Sequence, residues 1–406
     1  MKYIVLVGDG MADYPLDELQ GKTPLEVAKT PNMDYIAQNG QVGWLKTVPE
    51  RMPPASDVAN LSILGYDPLK YYTGRGPLEA ANMGIELKEG EVAFRCNLVT
   101  VGEDKMVDYS AGHITTKEAS ILIKDLDKHL RTHSLRFYPG VSYRHLMVTN
   151  DLEPSLLKVK CTPPHDITEK SISRHLPQGK NSDFLIDLMQ KAAKFLENHD
   201  INKVRIDLRE SPANSIWLWG QGKRPQMPKF REKYNIGGSV ISAVDLIKGM
   251  GKTIGLEPID VPGATGYYDT DYQAKGRYGI ESLNRNDFVF IHVEAPDEAG
   301  HNGDLRAKIT AIERFDSLVV GQILEHFKHK FDFRVLVTPD HYTPISVRTH
   351  TSEPVFFGLY GHGVEKDEIC TFNEAAAKES RLNFNKGWQL MDYFIKNELP
   401  KGARSS

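Results

Sequence analysis

The 406-residue sequence has only three cysteines, Cys96, Cys161 and Cys370. They are far apart and odd in number. They make neither a disulfide framework nor a zinc site, and they suit a reducing, cytoplasmic compartment. Long apolar runs are missing as well. The run at the N-terminus, Tyr3–Val7, is too short for a signal peptide or a membrane helix, so no membrane partner is expected. Neither sign of charge dominates: the net charge is −4, with a pI near 6.4. That balance gives no reason to expect nucleic acid or an anionic membrane as partner. No internal repeat or low-complexity tract is visible. What remains is 40% hydrophobic and 26% charged residues, ordinary for a globular enzyme, in a chain long enough for two or three domains.

Three apolar, β-branched stretches predict buried parallel strands, and each is followed by acid or by acid and imidazole. Tyr3–Val7 runs into Gly8-Asp9-Gly10. Phe288–Val293 leads to Asp297 and His301, four residues apart, which one helical turn or a tight loop would put on one face. Val335–Val337 is stopped at Pro339, with Asp340 and His341 just beyond, and His350 is close enough in sequence to reach back. Singly, each is an ordinary turn acid or surface histidine. Together they put three carboxylates and three imidazoles at the edge where open α/β sheets bind ligands. That suffices for two divalent cations with open positions, an arrangement that clamps the attacking and leaving oxygens of a phosphoryl group. For mixed nitrogen and oxygen donors Mn²⁺ is the expected ion, with Mg²⁺, Zn²⁺ and Co²⁺ as alternatives.

Ser56 supplies a candidate nucleophile. Pro49, Pro53 and Pro54 forbid helix before it, and Val58, Leu61, Ile63 and Leu64 repeat with helical spacing up to Gly65. Ser56 is therefore expected at a helix N-cap, where it either simply caps or carries phosphate beside the helix N-terminus.

From about residue 71 to 224 the texture changes. Short strands (Val92–Arg95, Leu98–Val101, Arg144–Val148, Val204–Asp207, Ile216–Trp219) alternate with helices over Lys117–Leu130 and Phe184–Asn198. After it, helices are expected over Ser239–Gly249, Thr270–Leu283 and Leu305–Phe327, a late strand over Pro354–Tyr360, and a last helix over Lys386–Lys396 before a polar tail. The run Gly249-Met250-Gly251-Lys252-Thr253 is no phosphate loop, because Leu246 stands where the motif needs glycine. The expected fold is α/β: a doubly wound, mainly parallel sheet formed by residues 1–70 and 225–406, carrying an inserted smaller α/β domain, 71–224.

The sequence resembles the archaeal type of cofactor-independent phosphoglycerate mutase, in the alkaline phosphatase superfamily. The matching stretches include Val7-Gly8-Asp9-Gly10-Met11, Thr30-Pro31-Asn32-Met33-Asp34, Pro54-Ala55-Ser56-Asp57 and Tyr72-Thr73-Gly74-Arg75-Gly76-Pro77. Further on come Phe94-Arg95-Cys96-Asn97, Val141-Ser142-Tyr143-Arg144-His145, Pro296-Asp297-Glu298-Ala299-Gly300-His301 and Pro339-Asp340-His341. The resemblance implies an alkaline-phosphatase-like core, no need for 2,3-bisphosphoglycerate, and a Ser56 that is phosphorylated in the cycle. It implies Asp9, Ser56, Asp340 and His341 as ligands of one metal ion, and Asp297, His301 and His350 as ligands of the other. His113, Arg144 and Lys275, with Arg75 and Arg277 behind them, are the carried-over substrate-binding residues. Ser56-Asp57-Val58-Ala59-Asn60 departs from a common family reading with histidine at the last position.

The reaction expected is therefore the interconversion of 3-phosphoglycerate and 2-phosphoglycerate, small phosphorylated substrates, through a phosphoserine. The inserted domain would act as a lid that keeps the phosphoserine from water. Two other readings are a phosphotransferase acting on a small alcohol such as homoserine, which needs ATP, and a metal-dependent phosphohydrolase, which accumulates no phosphoserine.

Overall fold

Lys2–Gly8 lies inside an eight-stranded sheet whose order, from one edge, is Asn383–Phe384, Gln41–Leu45, Val355–Gly361, Phe333–Thr338, Lys2–Gly8, Phe288–Val293, Gly238–Ile241 and Glu257–Pro258. The structure is a computed structural model and describes residues 1–330 and 332–399. Among the described residues Val355–Gly361 alone runs against its neighbours in this sheet, and the other pairings are parallel. The mainly parallel α/β architecture follows from the three continuous apolar runs. Ile4, Val5, Leu6 and Val7 are fully buried, as are Val289, Phe290, Ile291, Val335, Leu336 and Val337. A strand covered on both faces needs such residues, and each buried side chain contributes about 1.5–3 kcal/mol.

The register brings the strand ends together. Gly8 pairs with Val293 and Val7 with Thr338. Asp9, Glu294 and the Pro339-Asp340 step therefore leave the sheet at one edge. The chain divides into two units, Met1–Tyr72 with Met227–Ser406, and Thr73–Gln226. The second unit has its own antiparallel sheet, in which Val92–Val101 pairs with Met106–Asp108, Arg144–Thr149 and Ser215–Lys223, and Leu135–Val141 pairs with Arg144–Thr149. Its core joins Phe94, Cys96 and Leu98 to Leu122 and Leu126 of the Thr116–Leu130 helix and to Leu185 and Leu188 of the Ser182–Leu196 helix. No helix among the described residues is long and apolar enough to cross a membrane.

Several local expectations are corrected. Val204–Asp207 is not a strand; it is the end of the Asp200–Asp207 helix. Val204 and Ile206 are exposed, while Asn202 and Arg205 are buried. Asn202 donates to the Leu196 and Ala213 carbonyls, and Arg205 to those of Ser211 and Ala111, so tertiary bonds override the β-branched pattern. Val92–Arg95 and Leu98–Val101 form one strand, because the Asn97 side chain between them is satisfied by Trp219 Nε1 at 3.0 Å. Ser239–Gly249 is not one helix. Gly238–Ile241 is a strand and the helix is Asp245–Ile254, with the turn between them held by Glu294, which accepts from Ser242 Oγ and the Ala243 and Val244 amides. The Leu305–Phe327 stretch is helical throughout but passes through a π-helical turn, Asp316–Val320. There the Asp316 carboxylate accepts from the Asn32 and Met33 amides and so caps the Pro31–Asn39 helix. Short strands over Gln41–Leu45 and Leu135–Val141 were not anticipated. The polar tail lies in part outside the described residues.

One buried acid anchors the chain after the first strand. Glu374 accepts from the Asp13 amide at 3.0 Å and from Thr23 Oγ1 at 2.7 Å, and burial raises its carboxyl to about 7. The folded protein therefore keeps this proton up to about pH 7, whereas the unfolded chain releases it near 4.5. Between those values the unfolded chain binds fewer protons, so this group's contribution to stability falls as pH rises, by at most about 1.4 kcal/mol per pH unit. Glu374→Gln should flatten the decline in urea midpoint across that window. Equal pH slopes for the two proteins would contradict this role.

Candidate active site

The Asp9, Asp340 and His341 side chains converge, each offering a ligand atom within 4.8 Å of the others. His341 Nε2 is 3.4 Å from Asp9 Oδ1 and 3.5 Å from Asp340 Oδ2, and Ser56 Oγ is 3.1 Å from the same nitrogen. Ser56 is the first residue of the Ser56–Ile63 helix. Ala55, not Ser56, is its N-cap, and the expected capping bond is absent. The hydroxyl is thus left to face the acid and imidazole groups rather than the helix amides. A second group, Asp297, His301 and His350, satisfies the same distance condition. Asp297 and His301 lie one turn apart on the Ala295–Asn302 helix, 3.2 Å apart between Oδ2 and Nε2. His350 Nε2 is 3.4 Å from Asp297 Oδ1 and 2.9 Å from His301 Nε2. The His341 and His350 rings, 4.0 Å apart between centroids, join the two groups. The first group is buried, whereas the His301 side chain is 35% exposed, so solvent reaches the pair from the His301 side.

The carboxylates cannot all be charged here without help. Burial, followed by repulsion from Asp340 and Asp297, pushes the Asp9 carboxyl well above the usual range. Burial also acts on Asp340, but His341, His292 and the Gly10 amide hold its carboxyl below that range. Asp297 is likewise held low against burial, by His301 and His350. Burial opposes a charged His301, yet Asp297 and the Arg348 carbonyl raise its imidazole to about 9. His341 is driven down to about 4, chiefly by burial.

Several observations fit divalent cations. Asp9 Oδ1 is buried without a hydrogen-bond partner. Two imidazole nitrogens approach to 2.9 Å beside a carboxylate, which requires a proton or a cation between them. His301 Nδ1 lies 3.1 Å from the Arg348 carbonyl, so it carries a hydrogen, and a cation at Nε2 would take the place of the second proton. Three carboxylates and three imidazoles make the mixed donor set that Mn²⁺, Zn²⁺ or Co²⁺ takes.

Beneath these groups lies support that the sequence reading missed. His292 Nε2 is 3.3 Å from Asp9 Oδ2 and 3.9 Å from Asp340 Oδ2, and its Nδ1 is 3.3 Å from Glu294. Burial opposes its charged form, but Asp340 and Glu294 raise it to about 9. Asn60 Nδ2 donates to Asp340 Oδ2 at 2.7 Å and to the Ser56 carbonyl at 2.8 Å, tying the turn that bears Ser56 to Asp340. Gly10, in the left-handed region at φ +58°, donates its amide to Asp340 Oδ1, and a Cβ there would lie 2.5 Å from Asp297 Oδ1. A histidine inside the apolar run Phe288–Val293 is the signal that could have found His292.

The carried-over basic residues are divided between the two units. Lys275 is fully buried and donates to Glu294 Oε2 at 2.5 Å and the His292 carbonyl at 3.0 Å, so it belongs to this support rather than to a surface open to substrate. This corrects its expected role. Arg277 lies on the exposed face of the Tyr272–Ser282 helix, 4.0 Å from Glu281. Arg75, His113 and Arg144 belong to the second unit. There Arg75 lies over the Trp219 ring, the His113 and Tyr143 rings meet edge to face, and Arg144 Nε is buried without a hydrogen-bond partner.

Lys275→Met leaves the buried Glu294 without its nearest cation, with only the His292 ring beside it. The expected cost is about 3–5 kcal/mol in urea unfolding, partly recovered in Lys275→Met/Glu294→Gln. A loss below about 1 kcal/mol would return Lys275 to the pool of substrate-facing groups.

A family model described as 2,3-bisphosphoglycerate-independent phosphoglycerate mutase matches residues 37–202. The chain is 52% identical over 398 residues to the 2,3-bisphosphoglycerate-independent phosphoglycerate mutase of Methanosarcina barkeri, covering 98% of this chain and 100% of that one. Among solved structures it is similar to the PH0037 protein from Pyrococcus horikoshii, with a TM-score of 0.83, 30% identity and 99% of each chain covered. It is also similar to the cofactor-independent phosphoglycerate mutase from Thermoplasma acidophilum, with a TM-score of 0.66, 26% identity, and 98% of this chain and 100% of that one covered.

Proposed function

The chain belongs to the 2,3-bisphosphoglycerate-independent phosphoglycerate mutase family, and on that premise we propose how it interconverts 3-phosphoglycerate and 2-phosphoglycerate. The observation that carries the proposal is Ser56 Oγ, free of its helix and 3.1 Å from His341 Nε2. Asp9, Ser56, Asp340 and His341 would hold one divalent ion, and Asp297, His301 and His350 a second, with Mn²⁺ proposed among the ions this mixed donor set takes. Bound there, such ions supply Lewis acidity that favours the Ser56 alkoxide and neutralises charge on a phosphoryl group.

Ser56 Oγ gives up its proton as its bond to phosphorus forms and the ester bond at the 3-oxygen breaks. The freed 3-oxygen takes up a proton. Glycerate then turns, its 2-hydroxyl loses a proton as it bonds to phosphorus, and the Ser56 oxygen leaves and regains a hydrogen. No water and no nucleotide enter this balance. Asn60 keeps the first turn of the Ser56 helix and Asp340 at a fixed separation throughout. His292 and the Lys275–Glu294 pair hold Asp9 and Asp340 from below. His113 and Arg144 are proposed to hold the substrate carboxylate, with the second unit shielding the phosphoserine from water.

The kinase reading requires ATP and the hydrolase reading releases phosphate. Neither is favoured, since relatives at about half identity over nearly the whole chain carry the mutase name. The test is 2-phosphoglycerate formation from 3-phosphoglycerate by purified protein with Mn²⁺, followed by NMR without ATP or 2,3-bisphosphoglycerate. Full activity after exhaustive removal of metal would overturn the two-ion site. Ser56→Ala should abolish turnover in a folded protein, because the Ser56 side chain makes no capping bond whose loss would unfold the helix. Substantial mutase activity in that variant would rule out the phosphoserine. Arg144→Ala should slow turnover and raise the ratio of free phosphate to 2-phosphoglycerate, and wild-type values of both would remove Arg144 from the substrate site.

A further inference from the structure

Thr343 stands two residues beyond His341, is fully buried, and touches both ligand groups at once. Its Oγ1 lies 2.5 Å from Asp297 Oδ1 and 3.2 Å from His341 Nδ1. A carboxylate oxygen only accepts, so the hydroxyl hydrogen goes to Asp297 and the oxygen lone pair is left for the imidazole. His341 Nδ1 then carries a hydrogen, and its Nε2 lone pair points at Asp9, Asp340 and Ser56. One hydroxyl thus sets the tautomer of a ligand in the first group and the orientation of the acid in the second.

The residue is held so that it can do this. Its amide donates to the Ala12 carbonyl at 3.3 Å. Its carbonyl accepts at 2.8 Å from Lys308 Nζ, which also reaches Asp13 Oδ2 at 2.7 Å and the Ala12 carbonyl at 3.3 Å. Lys308 and Asp13 are both fully or almost fully buried, so this pair is shielded from solvent screening. The loop following Asp9 and the loop following Asp340 are tied to one cation, and Thr343 lies at the tie. Close approach to the Asp297 helix is allowed by Gly300, where a Cβ would lie 2.3 Å from the Thr343 carbonyl oxygen.

We propose that Thr343 is a positioning residue shared by the two ion-binding groups, its hydroxyl coupling the geometry of the His341 ligand to that of the Asp297 ligand. This rests on the two-ion reading of the site. Outer hydrogen-bond partners of metal ligands fix tautomer and ring orientation, and their loss typically lowers metal affinity by about 10–100-fold. For most such partners the loss falls on one ion. Here it falls on both, because both acceptor and donor of the same hydroxyl are ligands.

The test is calorimetric titration of Mn²⁺ into the full, metal-stripped chain. Wild type, Thr343→Val, Thr343→Ser and His350→Ala are compared, with the melting temperature of each metal-free protein measured alongside. Valine keeps the shape of threonine and removes only the hydroxyl chemistry. We expect wild type to take two ions, Thr343→Val to bind both about 10–100-fold more weakly, and Thr343→Ser to restore both affinities to within about threefold. His350→Ala should weaken one ion selectively. Wild-type affinities in Thr343→Val, or a defect confined to one ion as in His350→Ala, would overturn the shared role. Failure of Thr343→Ser to restore binding would also overturn it, since the hydroxyl is then not what matters. If Thr343→Val does not fold, Thr343→Ala serves in the same comparison. A wild-type protein that takes up fewer than two ions would instead bring down the two-ion reading itself.

Discussion

Three carboxylates, Asp9, Asp297 and Asp340, are buried within reach of one another at a single sheet edge. Placing several like charges in a dry interior costs far more than any one local bond returns, unless positive charge and donors are brought to them. The rest of the site can be understood as the answer to that constraint. Backbone amides from Gly10 and His341, the Asn60 amide and the His292 ring converge on Asp340. Imidazoles from His301 and His350 converge on Asp297. Asp9 keeps a buried oxygen without a partner, and divalent cations would complete the balance.

The fold meets this constraint with rigid parts. Parallel pairing in register brings Asp9 and Asp340 off adjacent strands, and a helix begun at Ala295 turns Asp297 and His301 to one face. Buried ion pairs lie under both sides, Lys275 with Glu294 and Lys308 with Asp13. Such pairs add little net stability compared with apolar packing, but breaking one is expensive, so they resist rearrangement. The proposed transfer of a phosphoryl group through Ser56 would need side chains that do not drift, and these pairs pin the loops that bear them.

The α/β class and the mainly parallel sheet were legible because a strand buried on both faces has a distinctive composition, seen in Tyr3–Val7, Phe288–Val293 and Val335–Val337. The strand-end acids could be picked out because nothing in a simple turn asks for acid next to imidazole. The support was not legible. Asn60, His292 and Thr343 matter through partners 280, 48 and 46 residues away in sequence, and apart from the odd histidine in the apolar run Phe288–Val293 no local pattern marks such contacts. Lys275 was misread for the same reason, since a lysine on a helix looks solvent-facing until the carboxylate of Glu294 is found beside it. The Val204 segment failed differently: its β-branched residues are on the outside, and buried Asn202 and Arg205 decide its helical form.

The central claim is that two divalent cations occupy the two ligand groups on either side of the contact between His341 and His350. Anomalous diffraction at the manganese edge from crystals grown with Mn²⁺ tests this directly. We expect two peaks, one among Asp9, Ser56, Asp340 and His341, and one among Asp297, His301 and His350. A single peak, or peaks away from these side chains, would contradict the account.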